Sequence, residues 1–99
     1  MGVTSRKSVT PSQPGLSVTS STVVVLKPPH AAMVADIYVR TASVVFTRDA
    51  TNPTATQGKQ ANAGDIINLY SRSEVENFRV IAVGTTASLD VEYFTDVSG

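Results

Sequence analysis

Residues Ser43–Phe94 read SVVFTRDATNPTATQGKQANAGDIINLYSRSEVENFRVIAVGTTASLDVEYF. Short runs of alternating apolar and polar residues are separated there by clusters of Asn, Pro, Gly, Asp and Thr. Period-two alternation is the mark of a half-buried strand, and those clusters are turn chemistry. In Ser43–Arg48, Val45 is out of phase with Val44 and Phe46. Asp49–Pro53 forms a turn, Thr54–Lys59 a short edge strand and Gln60–Gly64 a second turn. Asp65–Tyr70 alternates Ile67 and Leu69 around Asn68. Ser73-Glu74-Val75-Glu76 fits a capping box and predicts one helical turn. Asn77–Val83 and Ser88–Phe94 alternate on either side of a Gly84-led link and read as a hairpin.

Working outward toward the N-terminus, Met33–Arg40 alternates Ile37 and Val39 against Asp36, Tyr38 and Arg40. The link Thr41-Ala42 suits a turn or a bulge within one bent strand. Thr22–Lys27, TVVVLK, is a continuous apolar run ended by Pro28-Pro29, neither of which can donate to a ladder. Residues 1–21 are rich in Ser, Thr and Pro, with Val9, Leu16 and Val18 scattered among them. Alone they bury too little to offset the entropy of ordering. The expectation is a Ser/Thr/Pro-rich N-terminal arm over 1–21 and a β-sandwich domain over 22–99. The fold class is all-β: a small antiparallel sandwich or barrel of six to seven short strands with an extended arm.

Composition agrees with strands and excludes several chemistries. At 99 residues the chain has room for one domain. It has no cysteine, so neither disulfides nor thiolate sites can form. Eight basic and eight acidic side chains cancel, which argues against nucleic acid, whose phosphates call for clustered Lys and Arg. No apolar run approaches the roughly 20 residues that span a bilayer. The expectation is a soluble chain with no membrane partner, made in a cytoplasm.

No constellation points to catalysis, a cofactor or a metal. His30 is the sole histidine and follows two prolines, so it has no second base or ligand beside it. Asp49-Ala50-Thr51-Asn52-Pro53 lacks the alternating carboxylates and the Gly of a calcium loop. There is no GxSxG elbow and no phosphate-cradling glycine loop. Arg72, Glu74, Glu76 and Arg79 form a mixed-charge cluster, read either as a solvated face or as a subunit contact. Tyr38, Tyr70, Tyr93 and Phe94 suit either the core or a carbohydrate platform.

Open strand edges are the remaining physical problem, because unpaired backbone groups invite another strand. The expected interface residues are Arg6, Lys7, Val9, Leu16 and Val18 in the arm, and Val23, Val24, Val25, Leu26 and Lys27 in the apolar run. Arg72 and Glu74 are candidates beside them.

Four stretches carry a resemblance: FTRDATNPTATQG at Phe46–Gly58, AGDIINL at Ala63–Leu69, NFRVIA at Asn77–Ala82 and the closing GTTASLDVEYF. They resemble small structural proteins of tailed-bacteriophage virions. The resemblance covers about half of the chain and leaves out the N-terminal third. It implies a non-enzymatic β-sandwich on a phage particle, made in the host bacterial cytoplasm. The implied role is capsid decoration (cement), with a head–tail connector, neck or tail component as the alternative. The expected partners are further copies of the chain in a homo-oligomer, a trimer being one candidate, and the major capsid protein or another virion protein. A carbohydrate-binding module for host attachment is the alternative of another class.

Overall fold

In the computed structural model, the backbone is described for residues 5–97. The elements in chain order are β1 (Ser5–Val18), β2 (Val24–Val25), β3 (Val34–Arg40), β4 (Val44–Thr47), β5 (Lys59–Ala61) and β6 (Ile66–Leu69), then α1 (Arg72–Asn77), β7 (Arg79–Ala82) and β8 (Ala87–Val97). They form two four-stranded antiparallel sheets, β1-β8-β3-β6 and β2-β7-β4-β5. Every pair of successive strands changes sheet except β4–β5. This is the strand order of a jelly roll, the double Greek key that packs two such sheets face to face.

The inner faces follow from the alternation. Ala35, Ile37 and Val39 of β3, Ile67 and Leu69 of β6, and Leu89, Val91 and Tyr93 of β8 line one wall of the core. Val44 and Phe46 of β4 and Val80 and Ala82 of β7 line the other, together with Phe78 and Val75. Phe46 and Phe78 meet with ring centroids 5.6 Å apart. Among the described residues, no polar or charged residue is fully buried.

Several expectations need correction. β7 and β8 are not a hairpin: β7 pairs with β4 and β2, and β8 with β1 and β3. Two facing strands of a sandwich show the same alternation as two paired ones, so the pattern does not distinguish them. The link Gly84–Thr86 crosses between sheets, with Gly84 at φ 83 and the Thr85 N–H donating to Val83. Thr41, at φ 68, makes the same kind of crossing between β3 and β4, so a bent continuous strand is ruled out there.

Among the described residues the strands number eight, because most of the expected arm is β1. It pairs with β8 from Ser5↔Val97 to Val18↔Ala87, with register shifts on either side of Gln13. The edge strand expected at Thr54–Lys59 lies instead at Lys59–Ala61. Thr54 and Gln57 form a two-way backbone bridge, and Gly58, at φ 131, lets this turn lie against β4. That loop covers Val45, so β4 is buried on both faces rather than alternating. TVVVLK contributes only two paired residues. The helix is capped by Ser71, not Ser73: the Glu74 N–H donates to Ser71 Oγ at 3.2 Å.

Candidate interaction surfaces

The expected interface residues part ways in the fold. Val18 and Leu26 sit in the core, 0% and 7% exposed, and so do not reach a surface that could meet a partner. Val9, Leu16 and Val24 are partly buried and pack on the core, while Val23 is half-buried. Lys7, Val25 and Lys27 are exposed, Val25 at 44%. The Arg6 side chain lies outside the described residues.

Arg72 and Glu74 are committed within the chain. Arg72 Nη1 donates to the carbonyls of Pro29 and Ala32 at 2.9 and 2.7 Å and to His30 at 3.4 Å. Its Nε donates to Glu76 at 2.9 Å. One guanidinium thus holds the Pro-rich loop that leads into β3, a fork geometry that lysine lacks. Glu74 accepts the Tyr70 N–H at 2.8 Å and stands 4.0 Å from Arg48 Nε. Arg48 in turn donates to the Asn68 carbonyl at 3.2 Å and lies 5.0 Å over the Phe46 ring.

These contacts decide which strand edges are closed. The Val39 N–H donates to Asp65, and the Val39 carbonyl accepts from Gly64. The odd-numbered residues of β3 therefore face β6. By antiparallel alternation Asn68 and Tyr70 turn their backbone groups to the far side, where Arg48 and Glu74 take them up. β5 has three residues and carries Lys59 at the edge, and β2 has two residues shortly before Pro28.

β1 is the long edge. Its second half carries Pro11 and Pro14, and the Gly15 N–H is taken by the Asp90 carboxylate at 2.8 Å. Asp90 also accepts from Arg40 at 2.7 Å. The Gly15 bond first, and Arg40 second, hold the Asp90 carboxyl below the usual carboxylate range. Gln13 joins the two edges of this flank: its Oε1 accepts the Lys27 N–H at 3.0 Å and the Tyr93 hydroxyl. Tyr93 is therefore a core residue with a polar anchor, not a surface platform, and burial pushes its hydroxyl up to about 12. Gln13 did not stand out in the sequence, because a polar residue in a Ser/Pro-rich stretch carries no periodic signal.

The outer face of the β1-β8-β3-β6 sheet presents a second surface. A groove of about 410 Å³ there is lined by Ser12, Pro14, Tyr38, Arg40, Asp90 and Glu92. Ile66, directly opposite Tyr38, is 54% exposed, and Tyr70, just beyond β6, is 72% exposed. On the other sheet, a groove of about 350 Å³ lies between β4 and the Asp49–Gly58 loop. The polar groups there serve the turn: Asp49 accepts the Thr51 N–H at 3.1 Å, and Thr47 donates to the Thr51 carbonyl. Hydrogen bonds from Thr51 keep the Asp49 carboxyl below its ordinary value.

Among the described residues, no group of three or more His, Asp or Glu side chains could hold a metal ion, and no helix is long and apolar enough to cross a membrane. Compared with family profiles, curated proteins and solved structures, the chain has no match.

Proposed function

We propose that this chain is a non-enzymatic structural protein of a bacteriophage particle, a capsid decoration protein that attaches to the shell as a homo-oligomer. The observation that carries the reading is the β1–β8 ribbon. Ser5–Lys7 pair with Thr95–Val97 beyond the point where β3 ends its own pairing at Val34↔Phe94. The molecule is elongated, with extents of 46, 23 and 23 Å. A rigid sandwich bearing a projecting ribbon suits assembly, where contacts of small individual strength are multiplied by symmetry. The resemblance of Phe46–Phe94 to virion proteins supplies the biological setting, and a fold by itself supplies none. The test is to add purified protein to particles that lack it. Co-sedimentation with the shell and a higher shell melting temperature are expected, and protein left in the supernatant contradicts the reading.

A carbohydrate-binding module is the second reading. It is favoured by the groove in which the Tyr38 ring stands beside the Asp90 and Glu92 carboxylates, since sugars are held by a ring face and by acceptors for their hydroxyls. Glycan-array binding abolished by Tyr38→Ala would support it, and an empty array would remove it. Tyr93→Ala is not a usable probe, because Tyr93 is core.

A further inference from the structure

Four strands lie at the edges of the two sheets: β1, β6, β2 and β5. Three are guarded. The free side of β6 is occupied by Arg48 and Glu74, β5 is short and carries Lys59, and β2 has two residues and is followed by Pro28-Pro29. In β1 the second half is interrupted by Pro11, Pro14 and the turned-in Gly15. Among the described residues, Ser5–Thr10 alone is a regular edge stretch longer than three residues with no proline and no side-chain hydrogen bond on its open side; it does carry Arg6 and Lys7, whose charges bear on register rather than on the backbone groups.

The direction of its backbone groups can be worked out. The Phe94 carbonyl accepts from Met33 at 2.8 Å, so Phe94 faces β3. Tyr93 then faces β1, and the pair Val9↔Tyr93 holds the ladder. Ser8, one residue away, turns its N–H and C=O to the open side, as does Arg6.

We infer that Ser5–Thr10 is a homotypic docking edge: β1 of a second copy pairs with it antiparallel about a two-fold axis, joining two sheets into one. This rests on the homo-oligomeric part of the proposed function but not on the particle. The occupant is a second copy because an open edge needs an open edge, and the other edges of a copy are closed. Charge selects the register. Placing Lys7 opposite its own equivalent sets like charges face to face, which destabilises a sheet. Moving one step the other way, to Val9 opposite Val9, leaves only Ser8–Thr10 of the regular stretch paired, because the stretch ends at Pro11, whereas Ser8 opposite Ser8 pairs Arg6–Thr10. The register between these sets Ser8 opposite Ser8 of the second copy, with Lys7 opposite Val9 and Arg6 opposite Thr10.

Ser8→Pro tests this, because the Ser8 N–H lies outside the β1–β8 ladder and an edge strand tolerates proline on its open side. In analytical ultracentrifugation the 99-residue chain is expected at twice its 10.4 kDa mass, and Ser8→Pro at the mass of one chain with unchanged far-UV circular dichroism. A second variant covers the case in which Ser8→Pro fails to fold. The chain has no cysteine, so Ser8→Cys provides a single thiol, and opposed Cα atoms ~5.5 Å apart fall within disulfide range. A disulfide-linked dimer is then expected on mild oxidation. A wild-type chain that runs at the mass of one chain overturns the inference. So does an oligomer that persists in folded Ser8→Pro, or a Ser8→Cys chain that stays uncrosslinked. A Ser8→Pro-sensitive dimer that fails to bind particles overturns the particle assignment alone.

Discussion

Gly58 shows how one residue fixes a loop. A Cβ built there would stand 2.6 Å from Val45 Cγ1 and 3.0 Å from the Phe46 carbonyl, and the backbone has φ 131. Both the space and the torsion exclude a side chain, so Gly58→Ala is expected to cost roughly 2–4 kcal/mol, read from chemical denaturation. Tyr93 makes a pH prediction at the same scale. Its hydroxyl ionises near 10 in the unfolded chain and at about 12 in the fold. The fold therefore holds the proton longer, and the contribution, fully present below pH 10, is lost as pH rises toward 12. Melting temperatures measured across that window should fall in the wild type and fall less in Tyr93→Phe. At neutral pH the same variant should lose about 1 kcal/mol with the hydrogen bond to Gln13. Asp90 acts at the other end of the scale: its depressed pKa means that support for the Gly15 turn is present at neutral pH and is lost as pH falls through its folded value.

At the scale of elements, local chemistry was readable and partner choice was not. The phases of β3, β6, β7 and β8 follow directly from Ile37, Leu69, Val80 and Val91, because side-chain direction alternates within a strand whatever lies beside it. Which strand lies beside it depends on long-range closure, and alternation carries no information about that. Hence Asn77–Val83 and Ser88–Phe94 read as a hairpin although they belong to opposite sheets. β1 was hidden for a related reason. Its residues bury little by themselves, and its order comes from the ladder with β8, between Val18↔Ala87 and Ser5↔Val97 far along the chain. Of the expected contact residues, Val18 at the end of β1 and Leu26 just after β2 are buried in the core, which their local sequence does not show. Arg72 is the element-scale test. It ties α1 to the loop before β3 through three carbonyls and Glu76. Arg72→Lys should cost about 1–2 kcal/mol although the charge is kept, since an ammonium cannot reproduce the fork. A change within ±0.5 kcal/mol in denaturation would show the clamp to be incidental.

Among the described residues, a closed core is combined with one stretch of edge, Ser5–Thr10, whose backbone is left open. The jelly roll buries the inner faces of both sheets, and Arg48, Glu74, Lys59 and the prolines close the other edges by separate means. Such consistent guarding gives the open stretch at Ser5–Thr10 its meaning, because natural sheets suppress edges that have no use. The ribbon it belongs to continues past the point where β3 ends its pairing with β8. The proposed role as a decoration protein joins this geometry to the phage resemblance of Phe46–Phe94. The measurement that tests it most directly is the copy number of the chain in purified particles, by quantitative mass spectrometry against the major capsid protein. Decoration predicts a copy number that scales with the shell subunits. A copy number matching a single ring at the neck, or absence from the particle, would contradict it.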